Sequence, residues 1–421
     1  MARVRGQPAK LDCLPVDLNL LIFDNLPDIE SLISAAYAVP SLYRTLLSAD
    51  LSISARILHR EFPDHLWTHA NVAHLARQWA SSGRDFDSLE PGSDIDALVD
   101  SFRSLRDNAP AYRATHLEAV AILRTYDKVV ALRDLFAHDC PNAWNKQLIP
   151  LRDSLRRNPP ERSELERIER AIYLFDIMSS FCKNMVLTRP GDATYVAESY
   201  EKVSAIQKAL VERLMAPWEL YQVMHVQAFF RRALHDLDRD QHLSERIVPG
   251  MLVAGVDFVH HALRVVNKAA LPEFIAPLER NFLRQPQNIF GALISRGIHQ
   301  TWTRVSAKTF EHYRPFCRDG DRSGFNSWRN LETMYQRFTL GNDPNILDLF
   351  HVWVAAKEGR IDLWGASLWN EDRWDDIELS IHSPRAKLWK GVRHHWDSMA
   401  VGFQVLANPR ILSGPFPVSG C

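Results

Sequence analysis

The chain has 421 residues, a formal net charge of −1, and 46% apolar against 24% charged residues. That is ordinary globular composition, long enough for about two or three domains and a large buried core. The charge is near neutral, and no Lys/Arg block exceeds pairs such as Arg156-Arg157 and Arg231-Arg232. This argues against nucleic acid as an obligatory partner, because phosphate binding needs a clustered basic surface.

Residues 1–12 read as a disordered tail, with Arg3, Arg5 and Lys10 but no apolar run of the secretory kind. Residues 13–60 read as a helical module. Its first helix carries Leu14, Leu18, Leu21, Ile22 and Leu26 on one stripe behind a Leu-Pro start. Its second carries Ile29, Leu32, Ile33, Ala36 and Tyr37, and both are the apolar stripe of a helix with one buried face. A third follows Pro40 with Leu42, Tyr43, Leu46 and Leu47, and a helical pattern continues over 49–60. A module of this size rarely buries its apolar surface alone. The surplus must face a larger body or another protein.

Residues 61–408 read as that body. The pattern predicts helices over 65–79, 95–105, 110–140, 161–187, 194–215, 218–238, 253–268, 272–283, 288–305, 330–338, 344–357 and 363–375. The loop 81–93 is the best boundary signal, and 409–421 is a Pro/Gly-rich tail. The apolar run 247–266 is interrupted by Pro249, Asp257, His260, His261 and Arg264, so it reads as a buried helix after a Pro-Gly turn, too polar to span a bilayer. Only 377–381 alternates like a strand, and there is no internal repeat. The expected fold is mainly α-helical: a small three-helix N-terminal module followed by a larger irregular helical body.

Five dispersed cysteines without a Cys-x-x-Cys pair fit reduced thiols in the cytoplasm or nucleus. Cys421 lacks the spacing of a prenylation box. No Gly-rich phosphate loop, nucleophile elbow or zinc-helix motif occurs. Residues 319–324 imitate half a calcium loop, but Asn330 stands where the bidentate Glu is required. The pairs His260-His261 and His394-His395 point apart on a helix, and the acidic run Glu371, Asp372, Asp375, Asp376 and Glu378 reads as a solvated face. No catalytic residue, cofactor or metal is expected. An enzyme reading would rest on residues that meet in space, the candidates being His225, His235, Asp236 and Glu245.

The N-terminal pattern of Leu14, Pro15, Asp17, Leu18, Ile22, Phe23, Leu26, Leu32 and Ile33 resembles the F-box, the short helical motif of ubiquitin-ligase substrate receptors. Asn19 stands where a leucine is common, and Val39-Pro40-Ser41-Leu42-Tyr43 replaces the usual Cys-Lys-x-Trp-type end. Later segments look similar to those of fungal F-box-like proteins: Arg167-Ile168-Glu169-Arg170-Ala171, then Pro217-Trp218-Glu219, then Trp364-Gly365. The resemblance implies that Leu14, Pro15, Leu18, Ile22, Leu26, Leu32 and Ile33 dock on the S-phase-kinase-associated adaptor. That adaptor joins the cullin scaffold, and the body holds a protein substrate. Such a receptor supplies proximity and no chemistry of its own. It implies neither nucleic acid nor membrane as partner. The alternatives are a ligase-independent helical scaffold and a helical enzyme.

Overall fold

Local capping residues and prolines set most helix starts. In the computed structural model, residues 13–81, 114–139, 157–188, 215–239 and 247–264 are described, with positions 96, 97, 99, 100, 103, 104, 205 and 368. Helix α1 (Val16–Asp24) begins behind Pro15, whose carbonyl accepts the Leu18 and Asn19 N–H groups at 3.1 Å. Helix α2 (Ile29–Ala38) is capped by Asp28, which accepts the Ser31 N–H at 2.7 Å; that bond holds the Asp28 carboxyl below its ordinary range. Helix α3 (Pro40–Glu61) has proline in its first turn, where no N–H is needed. The two helical segments expected on either side of residue 49 are joined here, with a bend at Ala49 (φ −134°, ψ 17°).

Helix α4 spans Trp67–Ser81. Helix α5 (His116–Asp139) starts later than the expected residue 110, at a reciprocal capping box. The Thr115 N–H donates to Glu118 Oε2 at 2.8 Å, and the Glu118 N–H donates back to Thr115 Oγ1 at 3.2 Å. Glu164 and Glu219 reach back in the same way to the N–H groups of Glu161 (2.8 Å) and Ala216 (2.7 Å). They start α6 (Arg162–Thr188) and α7 (Pro217–Arg239). The Pro-Trp-Glu segment is thus a helix-start device: proline sits at N1, Glu219 caps the preceding amide, and Trp218 is buried.

The expected single helix after a Pro-Gly turn is corrected. Pro249 and Gly250 lie inside α8 (Ile247–Val253), and the break falls at Ala254–Gly255, before α9 (Val256–Arg264). Pro249 is in the first turn, where its missing N–H costs no helical bond. Gly255 takes φ +85°, the left-handed conformation that ends helices. A Cβ there would sit 3.3 Å from Asp176 Oδ1. Gly255→Ala is therefore expected to lower unfolding stability by about 1–3 kcal/mol, measurable by denaturant titration.

Helix α6 is the axis of the body. It packs against α4, α5, α7, α8 and α9, and every residue from 167 to 180 is buried. Phe175 and Phe136 meet Phe230 and Phe229 of α7 edge-on, at 5.3 and 4.9 Å between ring centroids. Helix α3 carries α1 and α2 and, with α2, leans on α5. One apolar core runs from Phe23 of α1 to Ala262 of α9. The N-terminal module shares that core and is not a separate bead.

Charged groups inside this core are paired. Arg77 of α4 donates to Asp176 Oδ2 and Thr125 Oγ1, both at 2.7 Å, and approaches Asp257 Oδ2 at 3.4 Å. Asp176 Oδ1 accepts the Val256 N–H at 3.3 Å, and Lys128 holds Asp257 at 2.7 Å. Burial pulls the Arg77 guanidinium down, but Asp176, helped by Asp257 and Tyr173, more than offsets this and holds it above its ordinary value. Glu169 of α6 receives His65 at 3.1 Å and also Arg133 of α5. The buried Arg167 donates to the Leu368 carbonyl at 2.8 Å.

The described residues are mainly helical and none lies in a strand; among them, no helix is long and apolar enough to cross a membrane. Ser81, the first residue of the expected loop 81–93, is the last of α4; the rest of that loop, the tail at 1–12, the expected helix 194–215 except positions 205 and 215, the expectations over 272–357 with the half calcium loop, the acidic run at 371–378, the strand at 377–381, His394-His395 and the tail at 409–421 lie outside the described residues.

Candidate docking surface

Folding settles only part of the surplus apolar surface of the N-terminal module. Phe23, Ile29, Leu32, Ala36, Leu42, Leu46, Ile53, Ile57 and Leu58 turn inward and are buried. Val16, Leu18, Leu21, Tyr37, Tyr43, Leu47 and Leu51 turn outward. Among the described residues, the exposed large apolar side chains are these and Leu117 alone. Fully burying such a side chain is worth about 1.5–3 kcal/mol, so leaving this many in one short segment is costly unless something covers them.

The exposed set falls on two elements. On α1, Leu18 (45% exposed) and Leu21 (59%) lie opposite the inward pair Asn19 and Phe23. On α3, Tyr43 and Leu47 are one turn apart and share one face, with Leu47 at 59%, and Leu51 is exposed just past the bend at Ala49. Tyr37 at the end of α2 stacks on Tyr43, with ring centroids 5.8 Å apart, and ties that face to the α2–α3 corner. Behind this surface the backbone is clamped from α3. Arg56 pairs with Asp24 at 2.9 Å, and Arg60 donates to the carbonyls of Asp24 (2.8 Å) and Leu26. Glu61 accepts the Ile29 N–H at 3.1 Å, and burial pushes its carboxyl up. Asp50, just past the bend in α3, accepts the His116 N–H at 2.8 Å and meets His116 Nδ1 at 2.7 Å, fixing α3 to the start of α5.

The residues expected to dock separate under this geometry. Pro15 and Leu18 are exposed, and Leu14, Ile22, Leu26 and Ile33 are half-buried. Leu32 is fully buried, so it holds α2 in the core and presents nothing to a partner. The expected buried stripe on α1 is also corrected: Leu18 and Leu21 face out, and Asn19 with Phe23 face in. Val16, Leu21, Tyr37, Tyr43, Leu47 and Leu51 complete the exposed set. The signal for the last three was present in their four-residue spacing, which runs beside a second apolar row through Leu42, Leu46, Ile53 and Ile57. A helix with two apolar rows has more apolar surface than one core face can take.

Of the dispersed enzyme candidates, His225 alone has a described side chain. His225 is on α7; the side chains of His235 and Asp236, and Glu245 as a whole, lie outside the described residues. Burial pulls His225 from 6.5 to about 4, so its ring is neutral at pH 7. Its folded value lies below its unfolded one, so the stability it contributes is complete above pH 6.5 and is lost as pH falls toward 4. His225→Gln should flatten that part of the stability-versus-pH curve; an unchanged slope would place its origin elsewhere. No group of three or more His, Cys, Asp or Glu among the described residues could hold a metal ion. Compared with family models, curated proteins and solved structures, the chain matches none.

Proposed function

We propose that the chain is the substrate receptor of an SCF-type cullin-RING ubiquitin ligase. The N-terminal module docks on the S-phase-kinase-associated adaptor, and the helical body presents a protein substrate. One observation carries this reading: among the described residues, nearly all exposed large apolar side chains lie between Val16 and Leu51, within the segment that resembles an F-box. A module that shares one core with the body is a rigid mount, which suits a part whose task is to hold a substrate at a fixed distance.

The test is titration of the purified full chain with purified adaptor, by calorimetry or surface plasmon resonance. Saturable one-to-one binding that is weakened by Leu14→Ala/Pro15→Ala supports the reading; no binding at micromolar concentrations overturns it. Co-capture of cullin through the adaptor separates a ligase subunit from a ligase-independent scaffold that uses the same surface.

A further inference from the structure

We propose that the buried Asn19–Thr45 pair selects which face of α1 is turned outward. The segment Val16–Asp24 is apolar almost all round: Val16, Leu18, Leu20, Leu21, Ile22 and Phe23 leave only Asp17, Asn19 and Asp24 polar. Amphipathicity therefore specifies its rotation weakly. Two rotations compete, roughly a third of a turn apart. One buries the leucine-rich stripe of Leu14, Leu18, Leu21, Ile22 and Leu26, and is the face a reading of periodicity selects. The other, which the structure adopts, buries Asn19 (1% exposed) and Phe23 (0%) and leaves Leu18 and Leu21 in solvent.

What distinguishes the two is a polar position on α3. Thr45 is 3% exposed, lies in the surface that receives α1, and donates its hydroxyl hydrogen to the Ser41 carbonyl at 3.0 Å. The Thr45 oxygen is then an acceptor facing α1, and Asn19 Nδ2 donates to it at 3.0 Å. In the other rotation a leucine would cover that oxygen and leave it desolvated with no donor. The device carries a cost. Asn19 Oδ1 is buried without a hydrogen-bond partner, so an apolar pair of similar volume would be at least as stable. A polar pair held at that cost specifies one arrangement against another, as a buried asparagine does in a coiled-coil seam. Asn19 is accordingly a positioning residue: it meets no partner protein itself and sets the face that does. The use of that face rests on the docking reading above; its orientation does not.

The experiment uses the full chain carrying Leu21→Cys, with iodoacetamide labelling at position 21 read by peptide mass spectrometry. In the Asn19→Leu/Thr45→Val background, labelling at position 21 should fall by half or more, because the helix population is then shared between the two faces. Cooperative unfolding should persist. Equal labelling rates in the two backgrounds overturn the proposal. If the double variant fails to fold, Thr45→Val alone decides, since it removes the acceptor for Asn19 and otherwise loses only the hydroxyl's bond to the Ser41 carbonyl within α3: reduced labelling supports the lock and an unchanged rate overturns it. Adaptor titrations on the same proteins should show weaker binding in the unlocked variant. A wild-type chain that ignores the adaptor ends the docking reading and leaves the labelling result to stand by itself.

Discussion

Replacing Asp176 by alanine should lower the unfolding free energy by about 3–5 kcal/mol, the penalty for removing one partner of a buried ion pair. The Asp176 side chain is 3% exposed, and it holds both the Arg77 guanidinium at 2.7 Å and the Val256 N–H at 3.3 Å. Its loss strands a guanidinium whose Nη2 already has no partner. The carboxylate then left to Arg77 is that of Asp257, which is 47% exposed and shared with Lys128. The same loss removes the acceptor for the first amide of α9. It acts at the place where α4, α5, α6 and α9 meet, so it cannot be absorbed by movement of one loop. Tyr173 lies in the same interior. Its hydroxyl is buried without a hydrogen-bond partner, and burial, reinforced by Asp176, pushes it well above its ordinary value, so it cannot supply a replacement anion. By contrast, breaking the surface pair Arg162–Glu166 (2.9 Å, with Arg162 86% exposed) should change stability by about 0.5 kcal/mol or less. Denaturant titrations followed by far-UV circular dichroism measure both. Arg77→Met combined with Asp176→Leu should recover most of the loss, because an apolar pair has no charge to leave stranded. An Asp176→Ala chain within about 1 kcal/mol of wild type would mean that water reaches Arg77 freely.

Most helix positions were legible in the sequence, because the signals that set them are local. Asp28 before α2 and Pro40 at α3 act within one turn of where they stand. The Pro-Trp-Glu start of α7 does the same. Two local signals were missed. The Thr115–Glu118 capping box sets the start of α5 more firmly than Pro110 does. Gly255 breaks the apolar run after residue 247, where Pro249-Gly250 draws attention first. The faces of the helices were less legible. Periodicity identifies an apolar stripe but not what lies opposite it, so on α1 it chose the leucines over Asn19 and Phe23. The inner charges of α6 were least legible of all. Glu169 and Asp176 look like an ordinary solvated helix face, and their partners come from the α3–α4 loop, α4, α5 and α9. No spacing rule reaches that far. Of the expected docking residues, Leu18 emerged at the surface and Leu32 in the core. Both belong to apolar stripes of the same kind, and only packing separates them.

The second large effect is expected at the outward face of α1. Leu18→Asp/Leu21→Asp should leave folding stability within about 0.5 kcal/mol of wild type, as substitutions at exposed sites generally do. Against the adaptor the same pair should cost at least about 2.7 kcal/mol, a hundredfold in affinity, because two carboxylates would be buried opposite an apolar partner with nothing to pair them. The two readouts must diverge for the docking reading to hold. Leu32→Asp provides the contrast: Leu32 is 0% exposed, so that variant should fail to fold, and its loss of binding would carry no information about the interface. Leu117→Asp provides the other control. Leu117 is 68% exposed on α5, outside the module, and its substitution should leave adaptor affinity unchanged. Light scattering adds a measurement that needs no partner. An uncovered face carrying Leu18, Leu21, Tyr43 and Leu47 should drive weak self-association of the isolated chain, and the double aspartate variant should reduce it. If the double variant binds as tightly as wild type, or Leu117→Asp weakens binding equally, the exposed face of α1 is not the docking surface. The apolar side chains of the module would then serve a different contact.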